Sequence, residues 1–153
     1  MRLQNKVAVV TGAASVFGAG TACLFAAEGA AVVVADIADE AGESVADSIN
    51  TTGGKAVYVH ADVTSRDDTR NMIDAAEKLG GRLDILINNA GYSHPNKDFA
   101  TVTDQEFDRV YDVNVKAVFI AIQEALPLFR RNGGGCIINT SSCLLYTSDA
   151  ADE

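Results

Sequence analysis

KVAVVTGAASVFGAGTACLFAAEGAAVVVAD, residues Lys6 to Asp36, is the stretch that decides the fold. It reads as strand, glycine-bearing loop, helix, strand, acid. The first strand is VAVV, Val7 to Val10, and the loop is TGAASVFGAG, Thr11 to Gly20. The helix is predicted to run to about Glu28, with Gly29 where a C-terminal cap belongs. The second strand, AVVVAD, ends on Asp36. This is the order of parts of a dinucleotide-binding βαβ unit. A helix N-terminus offers unpaired N–H groups and a positive dipole end to a pyrophosphate. A carboxylate closing the second strand can accept the hydroxyls of an adenosine ribose.

Outward from this unit, helical and strand patterns keep alternating, which predicts a parallel sheet with helices on both faces. A second helix is expected over Asp39 to Asn50, with Val45 and Ile49 inward. The third strand is KAVYVHADV, Lys55 to Val63. Ser65 and Asp68 form an approximate capping box for a third helix, whose apolar face is Met72, Ile73, Ala76 and Leu79 and which ends at Gly80-Gly81. LDILINN, Leu83 to Asn89, is apolar on both faces, as a central parallel strand should be. Thr103 and Glu106 form a better capping box and start a long helix to about Arg131, bent or interrupted near Pro127. CIIN, Cys136 to Asn139, is the fifth strand.

Composition narrows the function. With 153 residues, 48% hydrophobic and 22% charged, the chain can bury one real core. No apolar run approaches a membrane span, and since Met1 to Lys6 lead directly into the first strand, no signal peptide is expected. The net charge of −9 argues against nucleic acid and anionic membranes as partners. Cys23, Cys136 and Cys143 lack metal-ligand spacing and suggest a reducing cytoplasm. His60 and His94 are too few and too separated for a metal site. Asp36 at the ribose favours NAD over NADP, because a 2′-phosphate would meet a like charge. From Val7 to Gly54 there is no Lys or Arg to receive it.

Two motifs carry a family resemblance. One is the loop G-x-x-x-V-x-G, with Gly12, Val16 and Gly18 after Thr11. The other is Asn88-Asn89-Ala90-Gly91. From about Leu3 to Ser142 the chain resembles the short-chain dehydrogenase/reductase family, which has T-G-x-x-x-G-x-G and N-N-A-G at these places. The resemblance implies a Rossmann-type doubly wound sheet and an NAD-dependent oxidoreductase acting on a small-molecule secondary alcohol or ketone, assembled as a homo-oligomer. It puts cofactor binding on Gly12, Ser15, Val16, Phe17, Gly18, Asp36, Ile37, Asp62, Val63, Asn89, Ala90 and Gly91. Asp62 would meet the adenine edge and Val63 pack on it, while Asn88 supports the sheet. Val16 replaces the family's middle glycine. A Cβ there, on a residue that dislikes left-handed dihedrals, should weaken cofactor binding. Asn114, a poor residue for a helix interior, matches the family asparagine that distorts its helix and helps hold a water in the proton relay. Ser142 matches the serine that hydrogen-bonds the substrate carbonyl.

The family's acid/base is a Tyr about a dozen residues beyond this Ser, with a Lys four positions later. Neither is present here. Tyr146 is too close to Ser142, and no Lys or Arg follows Arg131. The last residues, CLLYTSDAADE, resemble the translation of a sequencing-library adapter. The expected organisation is therefore an incomplete NAD-binding domain over 1–142 and a non-native tail over 143–153. Without the tail the chain stays acidic, since Asp149, Asp152 and Glu153 go and no cation does. Such a chain should be inactive as a dehydrogenase, with the fifth strand an open edge and the long helix's apolar surface uncovered. A non-catalytic NAD-binding module and a nonfunctional fragment are the alternatives.

Overall fold

Five parallel strands make one sheet: β1 (Val7–Thr11), β2 (Ala31–Asp36), β3 (Lys55–His60), β4 (Ile85–Asn88) and β5 (Cys136–Asn139), in the order β3-β2-β1-β4-β5. The structure is a computed structural model that describes residues 1–141, so Ser142 and the 143–153 segment lie outside the described residues. Side chains alternate across the sheet. Val7, Val9, Val33 and Leu86 pack on one face with Met72, Ile73 and Ala76 of α3 (Arg66–Gly80) and Ala121, Ala125 and Phe129 of α5 (Ala117–Arg131). Val10, Val32, Val34 and Ile87 pack on the other with Ala22 and Ala26 of α1 (Val16–Ala27) and Ala46 and Ile49 of α2 (Asp39–Thr51). Two cores on one sheet make the α/β doubly wound architecture that the alternation predicts. Ile49 is buried as expected, and Val45 only partly. No helix among the described residues is long and apolar enough to cross a membrane.

The sheet's direction of winding reverses between β1 and β4. Open α/β sheets bind ligands in the crevice at such a reversal, outside the carboxyl ends of the strands. Buried threads hold this end together. The Thr11 hydroxyl donates to the Ile87 carbonyl at 3.3 Å and accepts the Asn89 and Ala90 N–H groups at 3.0 and 3.1 Å. At the opposite end, buried Asp84 accepts from the Val7 N–H, Lys6 and Arg82, which locks β1 to β4.

Several boundaries differ from the sequence reading. The loop after β1 ends at Ser15, and Val16 to Gly20 already belong to α1. Strand β3 stops at His60, because Asp62 turns the chain by accepting the Thr64 N–H and hydroxyl. Strand β4 stops at Asn88, because Asn89 turns back onto Thr11. The Ser65 cap is one-sided: it accepts the Asp68 N–H, while the Asp68 carboxylate takes the Asp62 N–H. The Thr103–Glu106 capping box is reciprocal. The long helix does not break at Pro127, which lies inside α5. It loosens into a π turn at Asp112–Lys116, between α4 (Asp104–Tyr111) and α5. Here Asn114 reaches out of the helix to another segment, and the backbone accommodates it with a wider turn.

Candidate functional site

A cleft of about 760 Å³ opens at the carboxyl ends of β1, β2 and β4. Gly12, Ser15, Val16 and Phe17 line it from the first turn, Asp36 and Ile37 from the end of β2, Asp62 and Val63 beyond β3, and Asn89, Ala90 and Gly91 beyond β4. The fold thus gathers nearly all the cofactor residues expected from the sequence onto one wall. Gly18 is the exception. It is buried under the loop, where a Cβ would overlap the Gly12 carbonyl oxygen, so it sets how closely α1 approaches the turn. Asn114 does not line the cleft.

The first turn uses part of its donors and leaves part free: the Ala13 N–H donates to the Ala35 carbonyl and the Ala14 N–H to Asp36. Gly12 has φ +63°, and a Cβ on it would stand 2.9 Å from Ala90 Cα. Ser15 is the N-cap of α1 in extended conformation and makes no side-chain capping bond. Of the first N–H groups of α1, which lack ordinary intrahelical acceptors, Gly18 donates to the Ser15 carbonyl, while those of Val16 and Phe17 have no acceptor among the described residues and, with the Ser15 hydroxyl, can meet an anion. Val16 adopts φ +38° and is 78% exposed. The left-handed conformation that the family's glycine would take freely is imposed here on a β-branched residue, at a cost of about 1–3 kcal/mol.

Asp36 is half-buried, and each of its oxygens takes one backbone N–H. Oδ2 accepts Ala14 at 2.9 Å and Oδ1 accepts Ala38 at 3.0 Å. It is not the N-cap of α2, which is Ala38. A carboxylate has about four acceptor positions, so Asp36 keeps capacity for two hydroxyls. Asp62 spends one oxygen on the Thr64 turn. Asn89 has a second, structural task. Its Nδ2 donates to the Thr11 and Gly12 carbonyls at 3.1 and 3.3 Å, binding the first turn to β4. Asn88 bonds Asn139 of β5 and is buried, which is a sheet-supporting role.

Beside Asp36, Tyr58 and His60 of β3 converge on Asp39. Burial, then the Asp39 carboxylate, pushes the Tyr58 phenol above the usual tyrosine range. Hydrogen bonds from Tyr58 and His60 hold Asp39 below its ordinary value, and Asp39 in turn raises His60.

Asn114 clamps the backbone of Tyr92, just past Gly91. The Arg109 guanidinium lies over the Tyr92 ring, 4.6 Å from its centroid. Gln105, Asp108, Arg109, Asp112 and Val113 complete the cleft from the α4 side, and Thr140 from beyond β5. None of these was singled out in the sequence. Only the tertiary path of α4 brings them here, and no local motif marks them. Thr11 could have been found, since it is the one hydroxyl closing an apolar strand.

The arrangement is that of the short-chain dehydrogenase family: a sequence model described as short chain dehydrogenase matches residues 6–146, and the chain belongs to that family. It is 45% identical over 142 residues to 4-formylbenzenesulfonate dehydrogenase TsaC1/TsaC2 of Comamonas testosteroni, covering 93% of this chain and 56% of that protein. It is 42% identical over 144 residues to secoisolariciresinol dehydrogenase of Forsythia intermedia, covering 92% and 50%. A solved 7α-hydroxysteroid dehydrogenase, complexed with NADH and 7-oxo glycochenodeoxycholic acid, superposes with a TM-score of 0.90 at 37% identity, over 97% of this chain and 57% of that one. The chain spans about half the length of the curated relatives it matches.

Proposed function

We propose that this chain is the N-terminal, cofactor-binding part of an NAD-dependent oxidoreductase that moves a hydride between a small secondary alcohol or ketone and the nicotinamide. The observation that carries the reading is the pairing of Asp36 with the amide-rich turn Gly12–Phe17 in one cleft. The turn fits a pyrophosphate and Asp36 fits a ribose diol. The absence of Lys and Arg from Val7 to Gly54 favours NAD over NADP. The NADH held by the 7α-hydroxysteroid dehydrogenase supports the same reading. NAD when bound supplies the hydride acceptor. In this reading Gly12–Phe17 hold its pyrophosphate and Asp36, Asp62 and Val63 its adenosine.

Asn114 and Ser142 are the catalytic-set members that the chain supplies, Asn114 by positioning the Tyr92 backbone and Ser142 by hydrogen-bonding the substrate carbonyl. No Tyr-x-x-x-Lys follows Ser142 in these 153 residues. We therefore expect binding without turnover, one domain over 1–142 and a foreign tail over 143–153. The complete enzyme is cytoplasmic and a homo-oligomer in this reading. The exposed row Phe107, Tyr111, Val115 and Phe119 supports association. The strained Val16 favours a second reading, an NAD-binding module without catalysis.

The test is a titration followed by NADH fluorescence. Saturable binding, competed by ADP-ribose and weaker for NADPH, is expected, with no NAD reduction by secondary alcohols. Failure to bind NADH would remove the cofactor reading. Turnover would remove the expectation of inactivity.

A further inference from the structure

Arg109 is the one cation among the described residues that lines the cleft, in a chain with 12 Lys and Arg against 21 Asp and Glu. Most of the chain's cations are held in ion pairs, as Lys97 is with Glu106 and Lys116 with Asp112. The Arg109 side chain has no ion pair or hydrogen bond among the described residues. Its partner is the face of Tyr92, whose centroid lies 4.6 Å from Cζ. Tyr92 is itself fixed, because Asn114 holds its N–H and its carbonyl. A guanidinium laid on an anchored ring has one face occupied and its edge N–H donors open. That fork matches a carboxylate or a sulfonate through parallel hydrogen bonds.

The acids of the cleft leave this fork unused. Asp36 and Asp62 spend oxygens on backbone N–H groups, and Asp112 pairs with Lys116 at 3.1 Å. Asp108 is the chain neighbour of Arg109, and successive residues on a helix do not face each other. The sheet order β3-β2-β1-β4-β5 puts the ribose acid Asp36 at β2 and the amide-bearing turn at β1. Tyr92 follows β4, on the other side of β1, and Thr140 follows β5. A dinucleotide laid from Asp36 across the turn carries its nicotinamide toward this side of the cleft.

We propose that Arg109, stacked on Tyr92, is a specificity-determining residue of the substrate site and takes the anionic group of a ketone or secondary alcohol that bears a carboxylate or sulfonate. The inference rests on the NAD-dependent reading above and deepens it by naming the substrate class. A chain with a net charge of −9 repels a free anion at long range, so an anionic substrate needs a local cation to hold it. Tyr92 and Asn114 are positioning residues here, since one carries the guanidinium and the other fixes the ring's backbone.

The experiment measures two dissociation constants by ligand-observed NMR on the full chain saturated with NADH. One is for 4-oxopentanoate, a ketone with a carboxylate, and the other for its neutral methyl ester. Wild type, Arg109→Gln, Arg109→Lys, Tyr92→Leu and Arg130→Gln are compared, with circular dichroism and an NADH titration run on each. Arg130 is the charge control, an exposed cation of α5 that does not line the cleft. Wild type should prefer the acid. Arg109→Gln should weaken the acid about three- to tenfold and leave the ester and NADH unchanged. Arg109→Lys keeps the charge but not the fork and should fall between the two. Tyr92→Leu should lower the acid-to-ester preference by less than Arg109→Gln does. No preference for the acid in NADH-bound wild type overturns the inference and leaves the NAD reading standing. An Arg109→Gln variant that loses NADH affinity as strongly as it loses the acid assigns the guanidinium to the cofactor and overturns the substrate role. An equal loss in Arg130→Gln overturns local recognition. A wild type that does not bind NADH overturns both readings.

Discussion

The side-chain amide of Asn114 holds the backbone of Tyr92 at both of its polar groups: Nδ2 donates to the Tyr92 carbonyl at 2.7 Å, and Oδ1 accepts the Tyr92 N–H at 2.9 Å. The clamp joins the π turn between α4 and α5 to the segment leaving Asn89-Ala90-Gly91, so one residue sets both the helix distortion and one rim of the cleft.

Replacing Asn114 with Leu removes both bonds while keeping the side-chain size. The groups freed are solvent-accessible, so the loss is modest, about 1 kcal/mol, or roughly 2–4 °C in Tm for a chain of this length. Thermal melting reads it. Asn114→Asp keeps the acceptor and loses the donor, and it should fall between wild type and Leu.

Val16 stands in a conformation suited to glycine. Val16→Gly should relieve about 1 kcal/mol of strain net of glycine's entropy. It should also tighten NADH several-fold by letting the turn approach the pyrophosphate. Urea melts and NADH titration report the two effects separately. Looser NADH binding in the glycine variant would contradict this account of the turn.

Gly18 tolerates no side chain. Gly18→Ala drives a methyl group into the Gly12 carbonyl and the Asn89 amide. A destabilisation of about 2–3 kcal/mol is expected from this overpacking. NADH binding should be lost with it, although Gly18 does not line the cleft. Gly20→Ala is the control, since nothing lies near its added Cβ.

Asp84 links acid stability to the sheet. Burial alone would raise its pKa, but hydrogen bonds from Arg82, the Val7 N–H and Lys6 outweigh it and hold the carboxyl below its ordinary value. A depressed folded pKa means the stabilisation is full above the unfolded value, about 4, and is lost as pH falls through the folded one. Asp84→Asn should cost about 1–3 kcal/mol near neutral pH. The gap to wild type should close as pH drops toward about 3. Urea midpoints across that range check it. A gap that widens in acid would give the opposite sign.

Phe107 and Phe119 are 64% and 57% exposed on the outer side of α4 and α5, with Phe107 stacked on Tyr111. Sedimentation velocity should show concentration-dependent association of the wild-type chain. Replacing both phenylalanines with Ser should shift the distribution toward monomer. Equal association in the variant would direct attention to the exposed β5 edge instead.

The elements around Lys6 to Asp36 were legible because their signals are local. Valine-rich strands bounded by glycines, a helix ending at Gly29 and an acid at a strand end need no knowledge of distant contacts. The Thr103–Glu106 box was equally plain. Of the two irregularities expected in the long helix, the break near Pro127, a local signal, does not occur, whereas the distortion at Asn114 implied by the family resemblance does. The π turn at Asp112–Lys116 accompanies an amide pairing with Tyr92, a partner 22 residues away.

By itself, the sequence determined the βαβ unit, the parallel sheet, the acidic character and the positions of Gly12, Asp36 and Asn89, since periodicity, turn chemistry and charge reside in neighbouring residues. Tertiary structure alone decided which residues brace the first turn and which complete the far wall of the cleft. Gly18 and Asn89 brace the first turn, Asn114 holds Tyr92, and Arg109, Asp112 and Thr140 complete a wall that no motif marks. The physical reason is that a hydrogen bond or a close approach between remote segments depends on where the packed sheet and helices carry them, and spacing along the chain does not encode that distance.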